Sequence, residues 1–255
     1  MTDERYDMRM PLASNALDLF GGQWSHQVAG FESPNLPRFY EDPRIRAFDG
    51  AIGGFGGKTV LELGPLEAGH TFMMEAFGAA SILAVEANKT AFMKCLIVKE
   101  LLGLPKTRFM LGDFNKLLQF NPPRVDAVVA SGVLYHMTEP LALIENMARC
   151  SDYICVWTHY FSPEVRWRAD LRDKFSPRDT TVDFHGRQIT LCEQSYHQAV
   201  KWGGFCGGSE ATSYWITRDG IVQAFDALGF DFKVLGEEPN HPNGPAITFV
   251  AQRRR

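Results

Sequence analysis

The sequence predicts an α/β protein, a mostly parallel sheet layered between helices. Two observations carry that class. Between residues 58 and 160, short and nearly continuous apolar runs alternate with segments of helical spacing. Strands buried on both faces by crossover helices leave that pattern. Each run also ends in residues that can do chemistry: glycine, an acid or a histidine. Right-handed crossovers place all such strand ends along one edge, where ligands bind in open α/β sheets.

Taken in order, residues 1–50 are turn-rich, with Pro34, Pro37 and Pro43 breaking any long helix. The interleaved Phe20, Trp24, Phe31, Phe39, Tyr40 and Phe48 predict an extension that docks on the core or closes over a site as a lid. Residues 51–160 form the expected core. KTVLEL (58–63), SILAVE (81–86), TRFMLGD (107–113), VDAVVASG (125–132) and DYICVWTH (152–159) read as strands. Segments 70–78, 89–103 and 138–149 read as helices, as in Phe92, Leu96 and Leu102 with Ile97 and Leu101 beside them. Residues 161–212 are polar and aromatic, with no strand of the main sheet evident. They predict a substrate-chamber insertion, with lid-like motion around Gly203, Gly204, Gly207 and Gly208. Residues 213–255 complete the core. They hold a helix within 216–230, capped by Thr217 and stopped by Gly229, then strands at 231–236 and 246–252 joined by EEPNHPNGP. Arg253, Arg254 and Arg255 read as a frayed tail.

Composition narrows the function. The chain has 255 residues, 45% hydrophobic and 22% charged, so it is neither a disordered chain nor a disulfide scaffold. A net charge of −4 argues against a broad nucleic-acid surface. Five cysteines without a C-x-x-C pair fit reduced thiols in a cytoplasmic protein. The charged N-terminus lacks the apolar stretch of a signal peptide, and no run reaches the roughly 18 apolar residues of a membrane helix. Glu193 and His197, four apart, would share a helix face, but two ligands are too few for a metal site, and none is expected.

The chemistry gathers in four places. In VLELGPLEAGHT a strand ends in Glu62, and Gly64 and Gly69 frame a turn into a helix whose free N–H groups suit a polar ligand. Leu66 stands where a dinucleotide fingerprint has its second glycine. Glu86 ends the next strand 24 residues later, close to the spacing at which an acid reaches a ribose diol. Gly112-Asp113-Phe114 follows the third strand, where an acid can accept from an adenine amine and a ring can pack on the base. Ser131-Gly132-Val133-Leu134-Tyr135-His136 ends the fourth.

Together these motifs resemble the class I S-adenosylmethionine-dependent methyltransferases. The G-V-L-Y-H run is similar to the branch holding the tRNA uridine carboxymethyltransferases. The resemblance covers residues 58–160 and the final helix and strand pair. It implies a Rossmann-like, three-layer αβα fold whose seven-stranded sheet has a reversed last strand, plus an N-terminal extension and a cap insertion after strand five. It implies S-adenosyl-L-methionine as cofactor. Glu62, Gly64, Pro65 and Gly69 would surround its methionine part, Glu86 with Ala87 and Asn88 its ribose, and Asp113 and Phe114 its adenine. Ser131, Gly132, Leu134 and His136 would shape the pocket near the sulfonium. The loop GPLEAG is one residue longer than the family's usual glycine-rich turn.

Methyl transfer is an in-line displacement, so the protein chiefly aligns, and an alcohol nucleophile also needs a base. His159, just after the fifth strand, and its neighbour Tyr160 are candidates. His197 and His241 lie in late loops that could cap the site, and Trp215 could line it. The expected activity is methylation of a small molecule or glycan, oxygen favoured over nitrogen. A tRNA-modifying carboxymethyl or methyl transferase, a non-catalytic binding subunit and a nicotinamide dehydrogenase are the alternatives. No membrane partner is expected, and a homodimer is left open.

Overall fold

A computed structural model describes residues 6–31, 36 and 38–255. The expectations placed on Pro34 and Pro37, and on the side chain of Phe39, lie outside what is described. The chain begins with a short α1 (Asn15–Asp18) and α2 (Pro43–Ala51). Then come β1 (Thr59–Leu63), α3 (Gly69–Ala76), β2 (Ser81–Glu86), α4 (Lys89–Leu102), β3 (Thr107–Leu111) and α5 (Phe114–Phe120). β4 (Ala127–Ser131), α6 (Pro140–Cys150) and β5 (Tyr153–His159) follow. An insertion holds β6 (Phe175–Phe184), β7 (Arg187–Ser195) and β8 (Thr212–Ile216). The chain closes with α7 (Arg218–Ala227), β9 (Phe230–Glu238) and β10 (Ala246–Arg253).

The main sheet has seven strands in the order β3-β2-β1-β4-β5-β10-β9. β1 to β5 pair in parallel, and β10 runs antiparallel between β5 and β9. This is the three-layer sheet with a reversed last strand that the sequence implied. One core layer centres on Leu61, Val128, Ile144, Phe225 and Phe249, and the other on Val60, Met74, Val98 and Val129. Neighbouring strand residues 60 and 61, and 128 and 129, divide between the two layers, as pleated strands require.

Strands and helices expected over 58–160 are present with ends within two residues. Caps explain the sharp helix starts. Asp42, Asn88, Asp113 and Thr217 accept backbone N–H groups at the N-termini of α2, α4, α5 and α7. Pro43 occupies the first turn of α2, where its missing N–H does no harm. α5 was not anticipated: it buries only Phe114 and Leu118, too short a stripe to read by period.

Three expectations need correction. The insertion forms its own antiparallel sheet, β6-β7-β8, and β8 crosses the expected boundary at residue 212. β6 is exposed along almost its whole length, so it carries no apolar alternation to read. Glu193 lies in β7, not on a helix shared with His197. Arg253 and Arg254 are not frayed. Arg253 ends β10 and bonds Asp152 Oδ1 at 2.9 Å, while Arg254 bonds Asp226 Oδ1 at 2.9 Å. Pairing of β10 on both sides carries the chain end into register with those acids.

Candidate active site

The loop after β1 has an unusual backbone. Gly64, Leu66 and Ala68 have φ of +66°, +54° and +61°. A Cβ at Gly64 would lie 3.2 Å from Val133 Cγ2, so glycine is needed there for shape and for space. Pro65 is buried in the turn, its carbonyl accepting from Ala68 N–H at 2.9 Å, and Gly69 opens α3. Glu86 accepts from Leu66 N–H at 3.1 Å and from Asn88 N–H at 2.8 Å, and the Ala87 amide also faces it. Asn88 caps α4 and donates its Nδ2 to the Phe205 carbonyl at 3.4 Å, which brings the insertion loop over this edge. Glu62 is 2% exposed and accepts from the Thr71 hydroxyl. Burial pushes its carboxyl up to about 8, with Thr71 opposing and nearby Glu86 adding to the rise. Burial also raises Glu86. Asp113 is exposed and caps α5, with Phe114 buried behind it. Ser131 Oγ is buried with no hydrogen-bond partner among the described residues. Leu134 is buried, Gly132 (φ +84°) packs beside the Trp157 ring, and His136 Nδ1 lies 2.6 Å from Tyr196 Oη. The insertion loop presses on that histidine: a Cβ at Gly207 would sit 2.9 Å from His136 Nδ1.

Beside this edge stands an aromatic group built from four distant segments. The His159 ring stacks parallel to Trp215 at 5.0 Å and meets Tyr135, Trp157 and His241 edge-on at 4.6, 5.0 and 5.0 Å. The Arg44 guanidinium covers the other indole, 4.5 Å from the Trp157 ring centre. His159 Nδ1 faces the carbonyls of Gly244 at 2.9 Å and Pro245 at 3.2 Å. Carbonyls only accept, so Nδ1 carries the proton and Nε2 carries the lone pair. Burial, then the neighbouring His241, holds this imidazole down to about 4, against the pull of the two carbonyls. It is therefore neutral at pH 7 with a basic nitrogen available. His241 Nδ1 accepts from Asn243 N–H at 3.2 Å, which places the proton of its neutral ring on Nε2. The indole N–H groups of Trp157 and Trp215, 8% and 4% exposed, have no hydrogen-bond partner among the described residues.

The structure brings His159, His241 and Trp215 together, with His136 next to Tyr135 at 4.0 Å. It does not bring Tyr160 or His197 to this group. Tyr160 points to the opposite sheet face, where its hydroxyl donates to Glu237 Oε1 at 3.2 Å beside the Arg218–Glu237 ion pair. Successive strand residues face opposite ways, so His159 and its neighbour could not both enter one site. His197 is exposed, its Nε2 2.8 Å from the Asp173 carbonyl. Sequence reading named Tyr135 within the strand-four motif but gave it no role of its own, and missed Trp157 and Arg44. Trp157 had a signal, since it lies two residues before His159 on one strand face. Arg44 had none. Among the described residues no cluster of three or more His, Cys, Asp or Glu could hold a metal, and no helix is long and apolar enough to cross a membrane.

Comparison with known proteins agrees with this layout. A family model described as a methyltransferase domain matches residues 61–152. The N-terminal domain of EvdMO1, solved in the presence of SAH and D-fucose, is 25% identical over 95% of both chains with a TM-score of 0.68. Magnesium protoporphyrin IX methyltransferase from Synechocystis PCC 6803, solved with SAH, is 15% identical over 82% of this chain and 83% of that one, TM-score 0.55. The 1,6-didemethyltoxoflavin-N1-methyltransferase of Burkholderia thailandensis is 11% identical over 85% and 79%, TM-score 0.55. No curated protein sequence matches the chain. The strand order, the methyltransferase domain matched from β1 through α6 and these neighbours agree: the chain carries a methyltransferase domain and has the fold of the S-adenosylmethionine-dependent methyltransferases.

Proposed function

We propose that the chain methylates a hydroxyl of a small, uncharged, sugar-like acceptor, with His159 as general base. The observation that carries this reading is the buried, neutral imidazole with its Nε2 lone pair inside an aromatic group. Aromatic walls take the C–H faces of a sugar ring, and the two unpartnered indole N–H groups can donate to its oxygens. The neighbour solved with SAH and D-fucose supports a sugar.

The residues at the sheet edge fit the cofactor. Glu62 would face its ammonium, Glu86 its ribose hydroxyls, Phe114 its adenine, and the orphaned Ser131 Oγ and Gly132 the region near its sulfur. When bound, S-adenosylmethionine supplies an electrophilic methyl group. His159 Nε2 takes the acceptor's hydroxyl proton, Tyr135 and the indoles orient the ring, and the loop carrying Phe205 and Gly207 keeps water out. Purified protein with labelled S-adenosylmethionine should methylate neutral monosaccharides or their glycosides, giving O-methyl products by NMR. Transfer confined to amine nitrogens overturns the proposal.

Glu62 gives a second expectation. Its carboxyl, at about 8, is mostly protonated at pH 7, and an ammonium beside it favours the charged form. Binding of S-adenosylhomocysteine at pH 7 should therefore release a fraction of a proton, seen as a calorimetric enthalpy that differs between phosphate and Tris buffers. The release should vanish well above pH 8 and in Glu62→Gln. The same buried acid makes folding depend on pH. A raised acid contributes stability fully present below its unfolded value of about 4.3. That contribution is lost as pH rises through about 8, so the ligand-free protein should melt lower at pH 9 than at pH 6.

A further inference from the structure

Glu67, the acid of the loop after β1, has no place in the chemistry above, yet it is buried to 1% exposure. Its carboxylate accepts from Lys94 Nζ at 2.8 Å, and Lys94 is itself buried at 6% exposure. It also accepts from Ser25 N–H at 2.9 and 3.1 Å and from His26 N–H at 3.1 Å. His26 Nδ1 stands 3.4 Å away. The Glu67 carbonyl accepts from the Tyr40 hydroxyl at 3.1 Å. Lys94 reaches further into the N-terminal segment, donating to the Gln23 carbonyl and sitting 5.3 Å from the Trp24 ring. On each side of Glu67 stands a left-handed non-glycine residue, Leu66 and Ala68. Such backbone is unfavourable for a residue with a Cβ and persists only when surrounding contacts enforce it. Leu66 is also the residue whose N–H meets Glu86.

We infer that Glu67 is a positioning residue for the cofactor. It ties residues 23–26 of the N-terminal segment to the loop of residues 64–69 and so holds that loop in the left-handed shape that aims Leu66 N–H at Glu86. The inference rests on the reading above that seats the cofactor at this loop. Burial alone would raise the Glu67 carboxyl, but the bonds from His26, Lys94 and Ser25 outweigh it and hold it low, so the clamp is an ionised one. Ligand and clamp then favour the same loop shape, and each strengthens the other.

The test compares Glu67→Gln, Lys94→Met and the parent protein, using calorimetric titration with S-adenosylhomocysteine and amide hydrogen exchange. Glu67→Gln should weaken binding about tenfold, which is about 1.4 kcal/mol, and Lys94→Met should weaken it in the same direction. At saturating S-adenosylmethionine, kcat should stay within about twofold while its KM rises. In the parent, S-adenosylhomocysteine should slow exchange at residues 23–26, and in Glu67→Gln it should no longer do so. A lower melting temperature with unchanged affinity and unchanged protection of 23–26 overturns the inference and leaves Glu67 a purely structural group. If Glu67→Gln does not fold, Lys94→Met carries both measurements. Glu86→Ala separates the two readings. If it abolishes binding while Glu67→Gln has no effect, only the inference fails. If neither changes binding, the cofactor's seat is elsewhere.

Discussion

His159→Ala should lower kcat for acceptor methylation by about 10²- to 10⁴-fold, the usual contribution of a positioned base, while S-adenosylhomocysteine affinity stays within about twofold. The split follows from where the imidazole stands, among Tyr135, Trp157, Trp215 and His241 and apart from the acids at the ends of β1 and β2. His159→Gln, which keeps most of the volume, should lose activity as deeply and so separates lost chemistry from lost packing. The pH profile is the second readout. Burial and His241 keep the imidazole neutral down to about 4. A depressed histidine loses its base form only as pH falls through that value, so kcat/KM for the acceptor at saturating S-adenosylmethionine should hold flat through pH 6.5 and fall only near pH 4. An acid limb centred on 6.5 would mean that the working base is exposed to solvent, and His159 would be the wrong residue.

Glu86→Ala should weaken S-adenosylhomocysteine binding by at least about 100-fold. Two losses combine. The ligand's hydroxyls lose their acceptor, and the Leu66 and Asn88 N–H groups lose theirs while partly buried, at about 1–3 kcal/mol for each unsatisfied group. Glu86→Gln keeps one acceptor oxygen and should lose about tenfold. Calorimetric titration at pH 7.5 reads both. Unchanged affinity in Glu86→Ala would remove the ribose role and with it the proposed seat of the cofactor. Because Glu62 also faces Glu86 electrostatically, its raised carboxyl should come down in Glu86→Ala, and the proton release described above should shrink.

Much of this was legible along the chain because it is local. The strand runs ending in Glu62, Glu86 and Ser131 were readable from apolar continuity, and the caps Asn88, Asp113 and Thr217 from residue type at a helix start. The insertion was readable only as a departure from that rhythm. Its β6 is exposed on both faces and gives no period, so a three-stranded sheet lay hidden in a polar stretch. The loop GPLEAG could be recognised as longer than its relatives. That Leu66 and Ala68 would carry its left-handed turns could not, since neither residue prefers that backbone.

The sequence by itself determined the sheet, its ligand edge and the three acids offered there, for these follow from periodicity and from what stands at each strand end. Tertiary structure decided which side chains meet. β10 inserts antiparallel beside β5 and carries the Gly244 and Pro245 carbonyls to His159, 85 residues from the first of them. That contact fixes the imidazole tautomer and leaves Nε2 unprotonated in the histidine, one of seven, proposed as the base. β8 delivers Trp215 onto its face, and α2 brings Arg44 over Trp157. Strand alternation turns Tyr160 away to Glu237. Pairings between remote segments depend on which surfaces the packed layers bring together, and no local pattern in a single chain records that choice.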